Sequence, residues 1–409
     1  MSEAWIIDAC RTPRGIGKKD KGALSEIHPQ HLGSAVLRAI VDRNSIDSSE
    51  IDDVVWGTSS QGGRQGGCIG RMAALDAGYD VRTSGMTLDR FCGSGLTAVN
   101  IAAANIMSGM ENLCIGGGLE KMSESRGTGG ELPTMDRGNL NLRELHPQTH
   151  QGLCADTIAT LENIDREAVD SIAYYSQQRA DVAVKNGYFD GSLIPVYNID
   201  GTLALAKDEF PRPQTTLEKL AELQPVFSNL DFPLDDDGLS YRSLMDLKYP
   251  GLNINYVHHA GNSSGVVDGA AALLLSSSDY AKANGITPRA RVVAMANMGD
   301  SPTLMLNAPV PAAQKVLAKA GLSLSDIDLF EVNEAFAVVP EKFIRDLDID
   351  REKINVNGGS IALGHPIGGT GAILIGTVLD ELERRDQQFG LVTMCAGGGM
   401  APAIIIERI

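Results

Sequence analysis

Apolar and polar positions follow two periods along this chain. Short runs dense in β-branched and small apolar residues, Ile51 to Gly57, Leu113 to Ile115, Asp268 to Ser276, Ile327 to Val332 and Leu391 to Met394, predict buried strands. Longer stretches, Gln30 to Asn44, Cys92 to Met107, Arg166 to Gly187, Ala312 to Ala320 and the run opened by His365-Pro366-Ile367-Gly368-Gly369, predict helices. These signals come in a repeated order of helix, strand, helix, strand and glycine turn. The first copy ends on Gly116-Gly117-Gly118 and the second on Gly397-Gly398-Gly399, with nearly constant offsets: 327 minus 51 is 276, and 365 minus 92 is 273. The repeat predicts two similar α/β domains packed face to face about a pseudo-two-fold axis, with a ligand cleft between them. The expected domains are residues 1–120 with 251–282, an inserted loop domain at 121–250, and residues 283–409. Within the insertion, Gly127-Thr128-Gly129-Gly130, Pro211-Arg212-Pro213 and Asp235-Asp236-Asp237 break the strand and helix pattern.

Composition narrows the function. With 409 residues, 43% of them hydrophobic and 21% charged, the chain is long enough for two or three domains with real cores. A formal net charge of −17 and no Lys/Arg-rich run argue against nucleic acid and an anionic membrane surface as partners. The N-terminus shows no basic stretch followed by an apolar one, and no window approaches 18 apolar residues, so a cytoplasmic protein is expected. Six cysteines, Cys10, Cys68, Cys92, Cys114, Cys154 and Cys395, lie far apart with no C-x-x-C pair and no zinc spacing, so free thiols and no metal are expected.

Cys92 stands just before a Gly-rich helix start, where helix N–H groups favour a thiolate. By position alone, a single cysteine is more often a buried small hydrophobe. The repeat changes that reading. A two-fold axis brings the equivalent helix start at His365 toward Cys92, although a histidine there could also merely cap its own helix. Cys395 precedes three glycines whose backbone N–H groups a substrate can approach closely. Two thiols and one imidazole suit acyl transfer between thiols: one sulfur carries the acyl group, the imidazole moves protons, and the second thiol works at the carbon beside a carbonyl. Asn333 ends the strand equivalent to Ile51–Gly57, where it either polarises an oxygen or is a turn residue.

The chain resembles the thiolase family, the acetyl-CoA C-acyltransferases, over essentially its whole length. The matching blocks are Cys92-Gly93-Ser94-Gly95, Gly117 to Ser123, Ala260 to Gly265, Asp268-Gly269-Ala270-Ala271, Asn333-Glu334-Ala335-Phe336, Gly358 to Pro366 and Cys395 to Gly399. The resemblance implies a layered α/β/α/β/α fold and a ping-pong reaction in which Cys92, activated by His365, takes an acyl group from acyl-CoA. It assigns the α-proton to Cys395, one oxyanion site to His365 with a water held by Asn333, and another to the N–H groups of Cys92 and Gly397. It further implies coenzyme A as substrate rather than covalently bound cofactor, with Arg212 beside the adenine, Ser264 on the pantetheine arm and His150 among the nearby contacts, and a homodimer or homotetramer. Two departures touch the acyl pocket and the reading of chain length: His150-Gln151-Gly152 stands where many thiolases have His-Met-Gly, and His258-His259 where they have a threonine before Ala-Gly-Asn. A short acyl group is the simplest reading, and a bulky or branched one is the alternative.

Two other classes compete. Gly93-Ser94-Gly95-Leu96-Thr97-Ala98 fits a dinucleotide-binding G-x-G-x-x-A before a helix, but it leaves His365 and Cys395 without a role. A non-catalytic acyl-CoA binder of the same fold would keep the cleft, yet here all four residues of the presumed chemistry are present.

Overall fold

A computed structural model describes residues 2–125, 134–234 and 238–409. Gly127 to Gly130 and Asp235 to Asp237 lie outside the described residues. The strands are β1 (Ala4–Arg11), β2 (Gly15–Ile16), β3 (Asp53–Gly57), β4 (Ser84–Leu88), β5 (Leu113–Lys121), β6 (Val196–Tyr197), β7 (Leu203–Leu205), β8 (Val267–Ser277), β9 (Ala290–Gly299), β10 (Leu329–Val332), β11 (Phe389–Thr393) and β12 (Met400–Arg408). Ten of them form one sheet, β6 and β7 pair separately, and β2 pairs with β8 at its side.

The main path of that sheet reads β10-β11-β12-β9-β1-β8-β5-β3-β4. Its centre is the junction of β1 and β9, which pair antiparallel through only Trp5 with Arg291 and Ile6 with Ala290. Outward from the junction both halves run alike, with β8 matching β12, β5 matching β11 and β3 matching β10. β4 has a vestigial counterpart in the isolated bridge of Phe330 to Ile354. The two-fold relation anticipated from the repeat is therefore written into the strand order, and the halves join edge to edge as well as through helices.

Those helices are Ser94–Ser108 and Ile367–Arg385, whose starts are also 273 residues apart (367 minus 94). They pack on one another and on strands of both halves. Ala98, Val99, Ala102 and Ala103 of the first share one buried cluster with Ile373, Val378 and Leu382 of the second. Contact this close requires missing side chains: a Cβ on Gly95 would stand 2.5 Å from the Gly368 oxygen, and one on Gly371 would stand 2.1 Å from the Leu96 nitrogen. The space a dinucleotide would need at Gly95 is thus filled by the facing helix.

One predicted turn is a strand. Gly116-Gly117-Gly118 continue β5 in register with β3 and β8. A Cβ on Gly117 would meet the Ala271 oxygen at 2.3 Å, and one on Gly118 the Gly368 oxygen at 2.1 Å. The glycines make room for a neighbouring strand and a helix end rather than for a bend.

The segment after β5 lies outside the main sheet. Its long helix Arg166–Lys185, capped by Asp165 on the Ala168 N–H, and the helix Gln151–Leu161 bury Leu153, Ile158, Val169 and Ala173 against Phe336, Val339 and Phe343 of the C-terminal half. A bidentate pair between Arg11 and Asp208, 2.9 Å on both arms, ties the segment back to β1. No helix among the described residues is long and apolar enough to cross a membrane.

Candidate active site

The two helix starts position the predicted chemistry. Cys92 precedes the first helical residue, Ser94, by two positions, and His365 precedes Ile367 by the same two. Ahead of Cys92, Phe91 is held at φ +49°, with its N–H donated to Asp89 Oδ1 at 2.7 Å. Gly93 then passes so near the Cys395 loop that a Cβ there would lie 2.9 Å from Pro402 and 3.4 Å from Ala396. Cys92 opens into a cavity of about 250 Å³ whose walls include Phe91, Met135, His150, Met305 and Gly397.

The Gly397 N–H donates to the Cys92 thiol and favours its charged form, as does the N–H of Cys92 itself. Both are outweighed. Desolvation by the surrounding protein, followed by the negative charge of Glu120, pushes the thiol up to about 12. The thiolate expected from the helix start is therefore opposed: enclosure and a nearby carboxylate raise the Cys92 thiol by more than the N–H groups lower it. Cys395 is buried, and its thiol is raised by burial and then by the charge Cys92 would carry as a thiolate, so the two sulfurs are electrostatic neighbours. After it, Gly398 and Gly399 turn the chain at φ +75° and +76°, which side chains resist, so that Ala396 can pair with Met400.

His365 is buried, and its surroundings fix which nitrogen is free. Thr370 Oγ1 donates to the Pro366 carbonyl at 3.0 Å, so it accepts from His365 Nδ1 at 2.6 Å. The lone pair is left on Nε2, which faces Asn333 Nδ2 at 3.4 Å. Asn333 is oriented in turn, since Ser360 Oγ donates to its Oδ1 at 2.6 Å and leaves the amide hydrogens toward the imidazole. Burial, and then the cationic Arg14 beside the Gly364 carbonyl, lowers His365 to about 3. The imidazole is neutral throughout the ordinary pH range, as a proton acceptor must be.

Glu120 ties the second helix start to the segment that follows β3. It is fully buried at the end of β5, and its carboxylate accepts from Ser59 N–H (3.0 Å), Ser60 N–H (3.1 Å), Gly368 N–H (2.9 Å) and the hydroxyls of Thr58 and Ser59. Burial raises its own pKa despite these donors. Sequence reasoning passed over Glu120, Ser360 and Thr370 as functional residues. The signal for Glu120 was an acidic residue inside an otherwise apolar, glycine-rich strand; nothing comparable marks the two hydroxyls.

The remaining predicted residues fall in two places. Arg212 lines a separate cleft of about 250 Å³ with Gln177, Phe210, Lys219, Ala260 and Gly261, its guanidinium 5.4 Å from the Phe210 ring centre. Ser264 is not among the described lining residues of either cavity: its N–H donates to the Ala335 carbonyl, and the next residue, Gly265, accepts the His365 N–H at 2.8 Å. His150, grouped above with the coenzyme A contacts, lines the Cys92 cavity rather than the Arg212 cleft. His258 and His259, which depart from the family pattern, are buried against Asp156 (2.7 Å) and Asp170 (2.9 Å).

Residues 4–230 match the family model described as "Thiolase, N-terminal domain", and residues 286–408 match "Thiolase, C-terminal domain". The chain is 39% identical to a 3-ketoacyl-CoA thiolase of Serratia proteamaculans, with all of both chains covered. It is 38% identical to a steroid 3-ketoacyl-CoA thiolase of Mycobacterium tuberculosis, covering 100% of this chain and 95% of the other. Among solved structures, human mitochondrial 3-ketoacyl-CoA thiolase superposes with a TM-score of 0.84 at 33% identity, covering 100% of this chain and 99% of that one. With both family models and full-length relatives matched around these paired helix starts, the chain belongs to the thiolase family.

Proposed function

We propose that this thiolase cleaves 3-oxoacyl-CoA with coenzyme A, or runs the reverse condensation, through an acyl group carried on Cys92. As the thioester or 3-oxo carbonyl approaches, His365 Nε2 takes the Cys92 proton while the sulfur attacks. The oxygen that gains charge meets the N–H groups of Cys92 and Gly397, and a second such oxygen meets His365 with a water held by Asn333. Cys395 protonates the departing acetyl-CoA enolate in cleavage and removes the α-proton in condensation. The observation that carries this reading is the tautomer chain of Thr370, His365, Asn333 and Ser360, which leaves a basic lone pair on Nε2. Coenzyme A lies along the Arg212 cleft toward Ser264, with the guanidinium against the base.

A homodimer or homotetramer completes the proposal. β4 pairs only with β3 and presents Met86 to solvent, an edge suited to a second copy. Mixing the protein with acetoacetyl-CoA and coenzyme A and following the enolate absorbance tests the activity. Steady loss of the signal, with an acetyl group on Cys92 by mass spectrometry, is expected; no turnover, or an acetyl group on another residue, would overturn it.

A further inference from the structure

The chemistry above leaves a buried amide of the Cys92 cavity without work, whereas the other glutamine of the wall, Gln151, is exposed. Gln148 lines that cavity and is only 7% exposed, yet its carboxamide has no hydrogen-bond partner among the described residues. Its Oε1 lies on the side of the Cys395 loop, 3.9 Å from where a Gly398 Cβ would stand. Beside it, His150 Nδ1 accepts the Gly152 N–H at 3.1 Å, so the neutral ring keeps its proton on Nε2. The ring is wedged between Phe227 and Tyr241, 5.4 Å from each, and cannot swing to reverse that arrangement.

The three aliphatic hydroxyls of the wall are already engaged. Thr134 donates to Asp136, Thr149 to the Tyr241 carbonyl and Ser59 to Glu120. Phe91, Met135, Met305 and Ile367 supply apolar surface, and no lysine or arginine is among the described lining residues. A hydrocarbon chain filling this space would leave the Gln148 amide dry and unpaired, an arrangement buried polar groups avoid. A carboxylate would be buried without a cation from the described lining residues, which is worse.

We propose that the preferred acyl group carries a second, uncharged oxygen, a hydroxyl or ketone beyond the 3-oxo group, held by the Gln148 carboxamide and the His150 Nε2–H. This rests on the thiolase reading above and specifies its substrate class.

Three substrates of matched length test it: 3-oxooctanoyl-CoA, 3,7-dioxooctanoyl-CoA and the 3-oxo dicarboxylic C8 thioester, compared by kcat/KM for thiolysis. The dioxo substrate is expected to exceed the saturated one by about tenfold or more, the yield of one added hydrogen bond. Gln148→Leu is expected to bring that ratio to about one or below, chiefly by improving the saturated substrate. Equal or better turnover of the saturated chain by the unaltered enzyme, or a preference for the dicarboxylate, would overturn the inference while leaving the thiolase reading intact. Failure of all three to acylate Cys92 would bring down that reading and this one with it. The substrate ratio of the unaltered enzyme needs no variant, and Gln148→Met serves where the leucine variant does not fold.

Discussion

Replacing Gly397 by alanine adds one methyl group at the point where the proposed oxyanion donor, the proposed nucleophile Cys92 and the cavity beside it meet. The new Cβ would stand 2.9 Å from Phe91 Cγ, 3.0 Å from its Cδ2 and 2.9 Å from Met135 Cε. Comfortable carbon contacts are about 3.5 to 4.0 Å, so the ring must retreat by roughly 0.5 to 1 Å. The Met135 tip can rotate aside. Phe91 cannot yield so easily, because Cγ sits next to a backbone held at φ +49° by the Asp89 carboxylate, and the next residue is Cys92. Either Cys92 moves with Phe91 or the Gly397 N–H moves away from it, and both misalign the donor. Loss of one such donor costs about 2.7 to 4 kcal/mol of transition-state stabilisation, or about 10² to 10³ in kcat. Overpacking adds a stability loss of about 1 to 3 kcal/mol. Thiolysis of acetoacetyl-CoA and a thermal melt read the two effects separately, and KM for coenzyme A is expected to change by less than about threefold because the Arg212 cleft is untouched. Gly191→Ala, where an added Cβ meets nothing within 4 Å, is the control. A kcat for Gly397→Ala within about threefold of the parent would refute the assignment of Gly397 to the oxyanion site.

Cys92→Ser is expected to abolish acyl-enzyme formation, whereas Cys395→Ala retains acetylation of Cys92 from acetyl-CoA but loses condensation; intact-mass spectrometry after acetyl-CoA addition distinguishes them. Glu120→Gln places an amide donor against at least one backbone N–H, Ser60 or its partners Ser59 and Gly368. Such an orphaned buried donor costs about 1 to 3 kcal/mol, measured by urea unfolding, and an unchanged midpoint would contradict the carboxylate's bracing role. His365, at about 3 when folded, lies below the ordinary imidazole value, so its neutral burial contributes stability that is present above pH 6.5 and lost as pH falls from there toward 3. Unfolding free energies of the parent and His365→Gln, taken at fixed protein concentration from pH 7 to 5, should therefore change their difference by about 1.4 kcal/mol per pH unit below pH 6.5. Parallel curves would mean that the imidazole is not held neutral.

Much of the site was legible in the sequence because the repeat carries positional information. Two helix starts at a constant offset, with Cys92 before one and His365 before the other, are visible in the chain, and the fold packs those two helices on one another. The family motifs drew attention to Cys395, Asn333 and Gly397 as well. Other features carried no local mark. Thr370 and Ser360 are ordinary hydroxyl residues in sequence, and only the folded helix and loop show that one selects the imidazole tautomer and the other turns the asparagine amide. The opposition to a Cys92 thiolate is hidden for the same reason: the helix start is local and visible, while desolvation and the Glu120 charge come from segments that arrive through the fold.

The amino-acid sequence alone determined the alternation of strands and helices and the duplicated halves, and it singled out Cys92, His365 and Cys395 as candidates, since periodicity and spacing are properties of the chain. Tertiary structure decided that Gly116 to Gly118 form a strand, that β1 and β9 fuse the halves into one sheet, and that Gln148 lines the Cys92 cavity. Close approach, desolvation and the direction of a lone pair depend on atoms hundreds of residues away, so no local pattern can encode them.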